Sequence, residues 1–197
     1  MPSPETTRVP ALRVPQRRFF LARAGQVGLS AAAVALLAGC ESMAAGRQAS
    51  AANAGQDVAI LNTALGLEHE AIAAYQLGAE SGLLQKPVLD VAVTFQGHHK
   101  AHAELLTDTV RKLGGTPVEP KPSYDFPMAD LKSQNDVLGF AADLEQAAAS
   151  AYLGAVPQFQ DRALAKAAAS ILGDETMHWA TLRNALGLPP VPDAFIA

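Results

Sequence analysis

The segment Asp174-Glu175-Thr176-Met177-His178 lies inside the last long helical stretch of this 197-residue chain. A Glu and a His three residues apart lie on the same face of an α-helix, so both side chains can reach one point. In four-helix bundles that hold a dimetal site, two helices each carry this Glu-x-x-His pattern and the other two each carry a lone Glu. One copy of the pattern is weak evidence, because many helices carry Glu and His by chance.

The other parts of such a site occur at matching positions along the chain. His99 and His102 repeat the three-residue spacing of Glu175 and His178. Two lone glutamates are separated along the chain by nearly the same number of residues as these two pairs. A tyrosine follows each glutamate seven residues later. The pattern therefore predicts two similar helical hairpins, each with one Glu helix and one x-x-His helix. The glutamates are Glu68 and Glu145, and the tyrosines are Tyr75 and Tyr152.

Composition favours closely packed helices. Hydrophobic residues make up 49% of the chain and aromatic residues only 6%, with much alanine, which suits helix packing better than a β-sandwich. The single cysteine excludes a framework of intrachain disulfides. The net charge is −4, and residues 40–197 carry eighteen acidic side chains against ten basic ones. Nucleic-acid binding requires a basic surface, so no nucleic-acid partner is expected.

Residues 1–39 are predicted to be a targeting segment. Arg17-Arg18-Phe19-Phe20 places a twin arginine before an apolar pair, and a small-residue run from Ala24 to Ala38 follows. This run is shorter than the roughly 20 residues of a membrane-spanning helix. Leu37-Ala38-Gly39-Cys40 resembles a bacterial lipobox, and the twin arginine resembles signals that export folded proteins. The resemblance implies lipidation of Cys40 and an exported protein anchored on the periplasmic side of a bacterial membrane. An uncleaved amphipathic anchor is the alternative.

The rest of the chain divides by composition into three parts. Residues 40–55 are small and polar and predict a flexible tether. Residues 56–188 are predicted to form an all-α, antiparallel four-helix bundle, and residues 189–197 form a C-terminal tail too short for a fifth helix. Asp57 or Asn53 is the expected N-cap of the first helix. The four helices are expected at about 57–81, 87–113, 136–155 and 161–186.

The polar residues of the pattern fall inside the apolar stripe of each predicted helix. Leu61, Leu65, Glu68, Ile72 and Tyr75 follow one another at steps of four and three, which places them on one helix face. Glu68 therefore points into the core, where an unpaired carboxylate is costly. A partner for each buried carboxylate is expected.

A proline-rich connection over residues 115–132 separates the two hairpins. It is too long to join adjacent antiparallel helices tightly, and it suits a bundle with one long crossover between the second and third helices. A linker between two domains is the alternative, but neither half has enough core to be stable alone.

Over residues 57–188 the chain resembles the ferritin-like superfamily, of the bacterioferritin and di-iron carboxylate type. Leu67-Glu68-His69-Glu70-Ala71, Gly115-Thr116-Pro117-Val118 and Tyr124-Asp125-Phe126-Pro127 are similar to segments of a group of exported bacterial ferritin-like domain proteins of unsettled activity. The resemblance implies a ferritin-like fold with metal ligands in the bundle core. The implied ligands are the carboxylates of Glu68, Glu145 and Glu175 and the imidazoles of His102 and His178.

The resemblance also implies roles for side chains beside the ligands. Tyr75 matches a tyrosine near the site, and Asp174 matches an acid that orients a ligating imidazole. Tyr152 is expected to be a core tyrosine bonded to a carboxylate, as is Tyr75.

The second helix departs from the superfamily pattern of Asp-Glu-x-x-His. Here His98 replaces the orienting Asp and His99 replaces a bridging Glu. A neutral imidazole offers one lone pair to a metal, so a site with two carboxylate bridges is not expected. His99 is still an expected ligand, and the mixed set suits iron first, as one or two ions, with manganese, zinc or copper as alternatives.

Three functions follow as hypotheses. The first is an exported metal-binding bundle with an oxidase or peroxide-consuming centre. The second is a non-catalytic envelope lipoprotein with a structural or partner-binding role, in which histidines neutralise the buried acids without metal; a homodimer is compatible with either hypothesis. Iron storage in a closed cage is the least favoured, because the fifth helix is missing and a lipid on every subunit does not suit a closed soluble shell.

Overall fold

Four α-helices make up most of residues 40–196, the part of the chain that the computed structural model describes. They are α1 (Cys40–Glu80), α2 (Lys86–Lys112), α3 (Gln134–Ala155) and α4 (Arg162–Ala185), with a 3₁₀ turn, Val156–Gln158, after α3. No strand occurs between residues 40 and 196. The prediction of an all-α four-helix bundle is therefore confirmed.

Local chemistry sets most of the helix ends. The side chain of Ser133 accepts a hydrogen bond from the Asp136 amide at the start of α3, and Asp161 accepts from the amides of the first turn of α4. These contacts satisfy amides that have no partner within the helix. After α2 and α4, Gly114 and Gly187 have φ values of 80° and 73°, a left-handed conformation that glycine adopts without a Cβ clash.

The start of α1 differs from the sequence prediction. A flexible tether was expected over residues 40–55, whereas α1 begins at Cys40 and runs without interruption to Glu80. Residues 41–55 hold six alanines and no proline, and alanine has the highest helix propensity. The small and polar residues of this stretch suggested a tether, but their helix propensity supports continuation of the helix.

Asp57 also differs from its predicted role as a helix cap. It lies within α1, is buried, and accepts hydrogen bonds from the amides of Gln160 (2.8 Å) and Asp161 (3.1 Å). It therefore satisfies amides at the start of α4, about a hundred residues away in sequence, and fixes the α3–α4 connection against α1.

Contacts between helices give the topology. Gln96 of α2 donates to the carbonyl of Ile72 in α1 at 3.0 Å, and Asn62 donates to the carbonyl of Thr116, just after α2, at 2.9 Å. Later residues of α1 thus contact earlier residues of α2, so the two helices are antiparallel. The amide of Val118 donates to Asn62 at 2.9 Å, so the connection leaving α2 runs along α1. It carries the chain to the opposite end of the bundle before α3 begins, which is the predicted long crossover.

The predictions of export and lipidation concern the N-terminal part of the chain. The targeting segment 1–39 lies outside the described residues, and lipidation of Cys40 stays a prediction. Within residues 40–196, none of the helices has a stretch long and apolar enough to cross a membrane.

Candidate metal centre

The six predicted ligand residues meet at one level of the bundle core. Each helix contributes from its apolar stripe, so that folding the stripes inward brings the polar side chains together. Five of the six are almost fully buried, and His102 is partly buried. The six are Glu68 from α1, His99 and His102 from α2, Glu145 from α3, and Glu175 and His178 from α4.

The ring of His99 lies in the middle of this layer. Its Nδ1 is 2.9 Å from Oε2 of Glu68, and its Nε2 is 3.2 Å from Oε1 of Glu145. Nδ1 also lies 3.8 Å from Oε1 of Glu175. His99, which replaces a carboxylate of the superfamily pattern, thus directs one ring nitrogen toward the lone glutamate of each hairpin.

Glu175 lies between the two histidines that flank the centre. Its Oε1 is 3.2 Å from Nδ1 of His102, and its Oε2 is 3.8 Å from Nδ1 of His178. Two groups of donor atoms therefore share His99 and Glu175, and within each group the atoms lie within 4.8 Å of one another. One group adds Glu68 and His102, and the other adds Glu145 and His178.

Several buried atoms of the centre have no hydrogen-bond partner among the described residues. The two histidine nitrogens among them lie 3.2–3.8 Å from carboxylate oxygens but are not aligned as hydrogen bonds. Ligand atoms bound to one ion at about 2.0–2.2 Å lie roughly 3 Å apart and point at the ion rather than at each other. Buried polar atoms without partners are rare, so this donor set fits a metal ion. The atoms are Nδ1 of His102, Nδ1 of His178, Oε2 of Glu145 and both carboxylate oxygens of Glu175.

Without metal, the centre holds its charges as mutual pairs. Burial acts to lower the pKa of His99, but hydrogen bonds to Glu145 and Glu68 and the nearby carboxylate charges raise it to about 10. Burial likewise opposes charge on His102, yet the adjacent carboxylates of Glu175 and Glu68 raise its pKa to about 9. His99 is therefore a cation in the metal-free protein, which corrects the expectation of a neutral imidazole.

The pKa values of the three buried carboxyl groups shift in different directions. Burial favours the neutral form of every one, but the adjacent histidines lower the pKa of Glu68 and of Glu145. For Glu175, burial raises the pKa, and its close neighbour Glu145 adds to that rise. The metal-free centre thus holds its protons on His99, His102 and Glu175.

The two tyrosines cross between the hairpins. Tyr75 in α1 donates to Oε1 of Glu145 in α3, and Tyr152 in α3 donates to Oε1 of Glu68 in α1 at 2.6 Å. The predicted bond from each tyrosine to a carboxylate is confirmed. Burial, together with the adjacent carboxylate charge, raises the pKa of both hydroxyls, so both tyrosines stay protonated and donate.

Asp174 lies behind the histidines on the outer side of the centre. Its Oδ2 is 3.4 Å from Nε2 of His102 and 3.3 Å from Nε2 of His178. A proton on Nε2 leaves the Nδ1 lone pair free toward the centre. His98 is half-exposed, with its Nδ1 3.2 Å from Asp174 and 2.9 Å from Nε2 of His178. His98, Asp174 and His178 form a third set of neighbouring donor atoms.

One neighbour of the centre had no site role predicted from the sequence. The ring of Phe95 stacks on His178 with centroids 3.9 Å apart. The apolar stripe of the second helix includes Phe95 one turn before His99, which placed it in the core but did not indicate the contact with His178.

Comparisons with known proteins agree with this geometry. A family model described as a ferritin-like domain matches residues 56–188. A crystal structure of a conserved hypothetical protein from Mycobacterium tuberculosis matches with a TM-score of 0.63 and 22% identity, covering 73% of this chain and 99% of that one. Ferritin-like, diiron-carboxylate proteins from Bacillus anthracis match with a TM-score of 0.60 and 20% identity, covering 68% and 97%. No curated protein matches the chain. At these identities the two structures support the fold, and the match of the family model over most of the chain shows that the protein belongs to the ferritin-like domain family.

Proposed function

We propose that this protein binds one or two transition-metal ions in the bundle core, with iron as the first expectation and manganese, zinc or copper as alternatives. The observation that carries the proposal is the set of five buried donor atoms without hydrogen-bond partners, which converge from α2, α3 and α4. Nitrogen and carboxylate ligands in this mixture suit such ions better than magnesium or calcium. The similarity to diiron-carboxylate proteins supports the same choice.

The surrounding side chains would hold the ligands in orientation. Each tyrosine bonds one carboxylate oxygen, Tyr75 on Glu145 and Tyr152 on Glu68, and so fixes the rotation of that carboxylate. Asp174 lies 3.4 Å from Nε2 of His102 and 3.3 Å from Nε2 of His178, and its charge would favour protons on these outer nitrogens, with the Nδ1 atoms turned inward. Iron bound there would supply the binding and reduction of O₂ or peroxide, and the apolar residues around the layer would exclude bulk water.

The protonation of His99 bears on how many ions the centre would hold. Its two nitrogens face different glutamates, so as an imidazolium it would pair with those carboxylates and offer no lone pair to an ion. As a neutral ring it would offer one lone pair to one of the two donor groups, while its other nitrogen keeps a proton. Metal stoichiometry distinguishes one ion from two.

We also propose that the protein is exported and lipid-anchored through Cys40. The support is the order of twin arginine, short apolar run and lipobox in the sequence. Radiolabelled palmitate incorporation in a bacterial host, lost in Cys40→Ser, tests this part independently of the metal centre.

The decisive experiment for the metal centre is metal content by mass spectrometry. The full chain is purified from cells grown with balanced iron, manganese, zinc and copper, beside a His102→Ala/Glu175→Ala variant. Glu104→Ala, which removes an exposed carboxylate two residues from His102, is the matched control. One or two ions per chain are expected in the wild type and the control, with loss in the double variant.

The non-catalytic alternative rests on the charge pairing of the metal-free centre. Lowered carboxylate pKa values beside raised histidine pKa values describe a buried network that needs no ion. This alternative predicts no metal after reconstitution, with a folded double variant, and that result would contradict the metal proposal. It also predicts that apolar replacements of His99 and Glu175 together are tolerated or stabilising.

A further inference from the structure

A cavity of about 160 Å³ lies among the four helices at one end of the bundle. This is the end at which α1 and α4 finish and α2 and α3 begin. Buried residues from α1, α3 and α4 form its floor, and exposed residues of α2 and α4 form its mouth, among them Val91, which is 37% exposed, and Thr181. Lining residues include Ala74, Val88, Ala92, Leu138, Ala141 and Leu182.

The wall of the cavity offers no free polar group. Its only side chains with polar atoms are those of Tyr75 and Thr181. Tyr75 donates to Glu145, and Thr181 donates to the carbonyl of Met177 at 2.8 Å. A buried water needs two to four polar partners, and a charged ligand would be desolvated without compensation. The cavity therefore suits neither water nor an ion.

The cavity also adjoins the candidate metal centre. Tyr75 lines the cavity with its ring, while its hydroxyl bonds to Glu145 in the centre. One side chain therefore separates the apolar space from the donor atoms, so a molecule in the cavity lies directly against the residue that orients a ligand.

We propose that this cavity binds a small, uncharged, apolar molecule, of the size of a single aromatic ring or a short hydrocarbon chain, and holds it against Tyr75. A dry apolar cavity of about 150 Å³ is large enough for benzene or xenon, which matches the volume here. Binding of this kind requires no metal. The role of the cavity as the substrate pocket of the centre rests on the proposed metal function.

Benzene and xenon are the probes, and methyl NMR of the full chain gives the readout. Saturable shifts are expected for the methyl groups of Val88, Leu138 and Leu182 at the cavity. No shift is expected for Leu106 and Val110, which are buried at the other end of the bundle and serve as the internal control.

Two variants test the location. Ala141→Leu fills the cavity from α3 and should weaken benzene binding by about tenfold or more, whereas Ala147→Leu, on the exposed face of the same helix, should leave it unchanged. Val91→Trp narrows the mouth at an exposed position and should also weaken binding without disturbing the core.

The outcomes separate this proposal from the metal proposal. No saturable shift, equal shifts at both ends, or equal affinity in Ala141→Leu and Ala147→Leu would overturn it. Occupation by the chain's own N-terminal segment would block benzene and so overturn it as well. If the protein binds metal but not benzene, only the proposal of an apolar binding cavity is contradicted. If it binds benzene but no metal, only the metal proposal is contradicted.

Discussion

The two ends of the bundle are built differently, although the chain repeats the same helical hairpin. At one end, Leu65, Leu106 and Ile171 belong to a cluster of nine buried residues. Only about 20 Å³ remains among all four helices there, although a groove of about 290 Å³ lies between α1 and α3. At the other end the buried cluster has five residues, and about 160 Å³ remains. We refer to these as the packed end and the hollow end.

Side-chain size explains the difference. At the hollow end all four helices place small residues at facing positions, and those residues cannot fill the space between backbones held apart by the centre. They include Ala74, Gly78, Ala92, Ala141 and Ala185. Protein cores are otherwise close-packed, so unfilled apolar space next to a polar centre indicates function more than stability. The following predictions test this contrast from the largest expected effect to the smallest.

The largest effect is expected in the centre between the two ends. His99 and His102 have raised pKa values of about 10 and about 9, so the folded protein binds their protons more tightly than the unfolded chain. This stabilisation is full below about pH 6.5 and is lost as pH rises through the folded-state values. The free energy of unfolding of metal-free protein should therefore fall by several kcal/mol between about pH 6.5 and 10.

Urea unfolding at a series of pH values measures this fall. Because the titrating groups lie in the centre, Leu65→Ala and Leu182→Ala should lower the curve without changing its slope. Bound metal should reduce the slope, since it already holds the ligands deprotonated. A flat curve for the metal-free protein would contradict the assignment of the protons to His99 and His102.

A matched pair of leucine truncations compares the ends directly. Leu65 is fully buried at the packed end and Leu182 is 4% exposed beside the cavity. Leu65→Ala should cost about 4–5 kcal/mol, at the upper limit for such truncations, and Leu182→Ala about 2–3 kcal/mol. The smaller cost follows because Leu182 already lacks neighbours on one side. Denaturant unfolding at pH 7 measures both, and equal costs would show that the cavity collapses in solution.

The sequence predicts the centre better than it predicts the space around it. Helical periodicity alone places Glu68 and Glu175 on inward stripes, and the tyrosines were expected to bond to carboxylates, but their pairing with the glutamate of the other hairpin was not predicted. Periodicity does not report how far apart two helices lie, so the cavity beside Ala141 could not be foreseen. The two-sided position of His99 depends on a side-chain rotation that spacing does not fix.

Contacts between residues distant in the chain were the second feature that the sequence did not predict. Asp57 was expected to cap its own helix, because capping patterns are local, but its partners are the amides before α4. The start of α1 was misjudged for a related reason. Small polar residues suggested a tether, while alanine-rich stretches such as residues 41–55 also continue a helix that is already nucleated.

The two tyrosines provide a test at intermediate magnitude. Tyr75 lines the hollow end and Tyr152 lines the packed end, and each donates to a buried glutamate. Loss of a hydrogen bond to a charged group costs about 1.5–3 kcal/mol. Tyr152→Phe and Tyr75→Phe should both fall in this range, because each leaves a buried carboxylate oxygen without its donor. Unfilled space borders both side chains, about 160 Å³ beside Tyr75 and about 290 Å³ beside Tyr152, so the two costs should be similar.

Unfolding of metal-free protein at pH 7 gives both values, and costs that differ by more than about 1.5 kcal/mol would contradict this expectation. Metal content of the two variants adds a second readout. Each tyrosine orients one glutamate, so metal affinity should fall in both variants even where stability differs.

The smallest effects on stability are expected from substitutions that add side-chain volume at each end. Their signs should be opposite at the two ends. Ala168 is 5% exposed in the packed cluster, and Ala168→Leu should destabilise by about 1–3 kcal/mol through overpacking. Ala141 lines the cavity, and Ala141→Leu should stabilise by about 0.5–2 kcal/mol because it fills existing space. Thermal unfolding of the two variants beside the wild type measures the signs. If both substitutions destabilise, the hollow end is shaped closely around its own side chains; if Ala141→Leu stabilises, the chain has kept a cavity at the expense of stability, as a binding site requires.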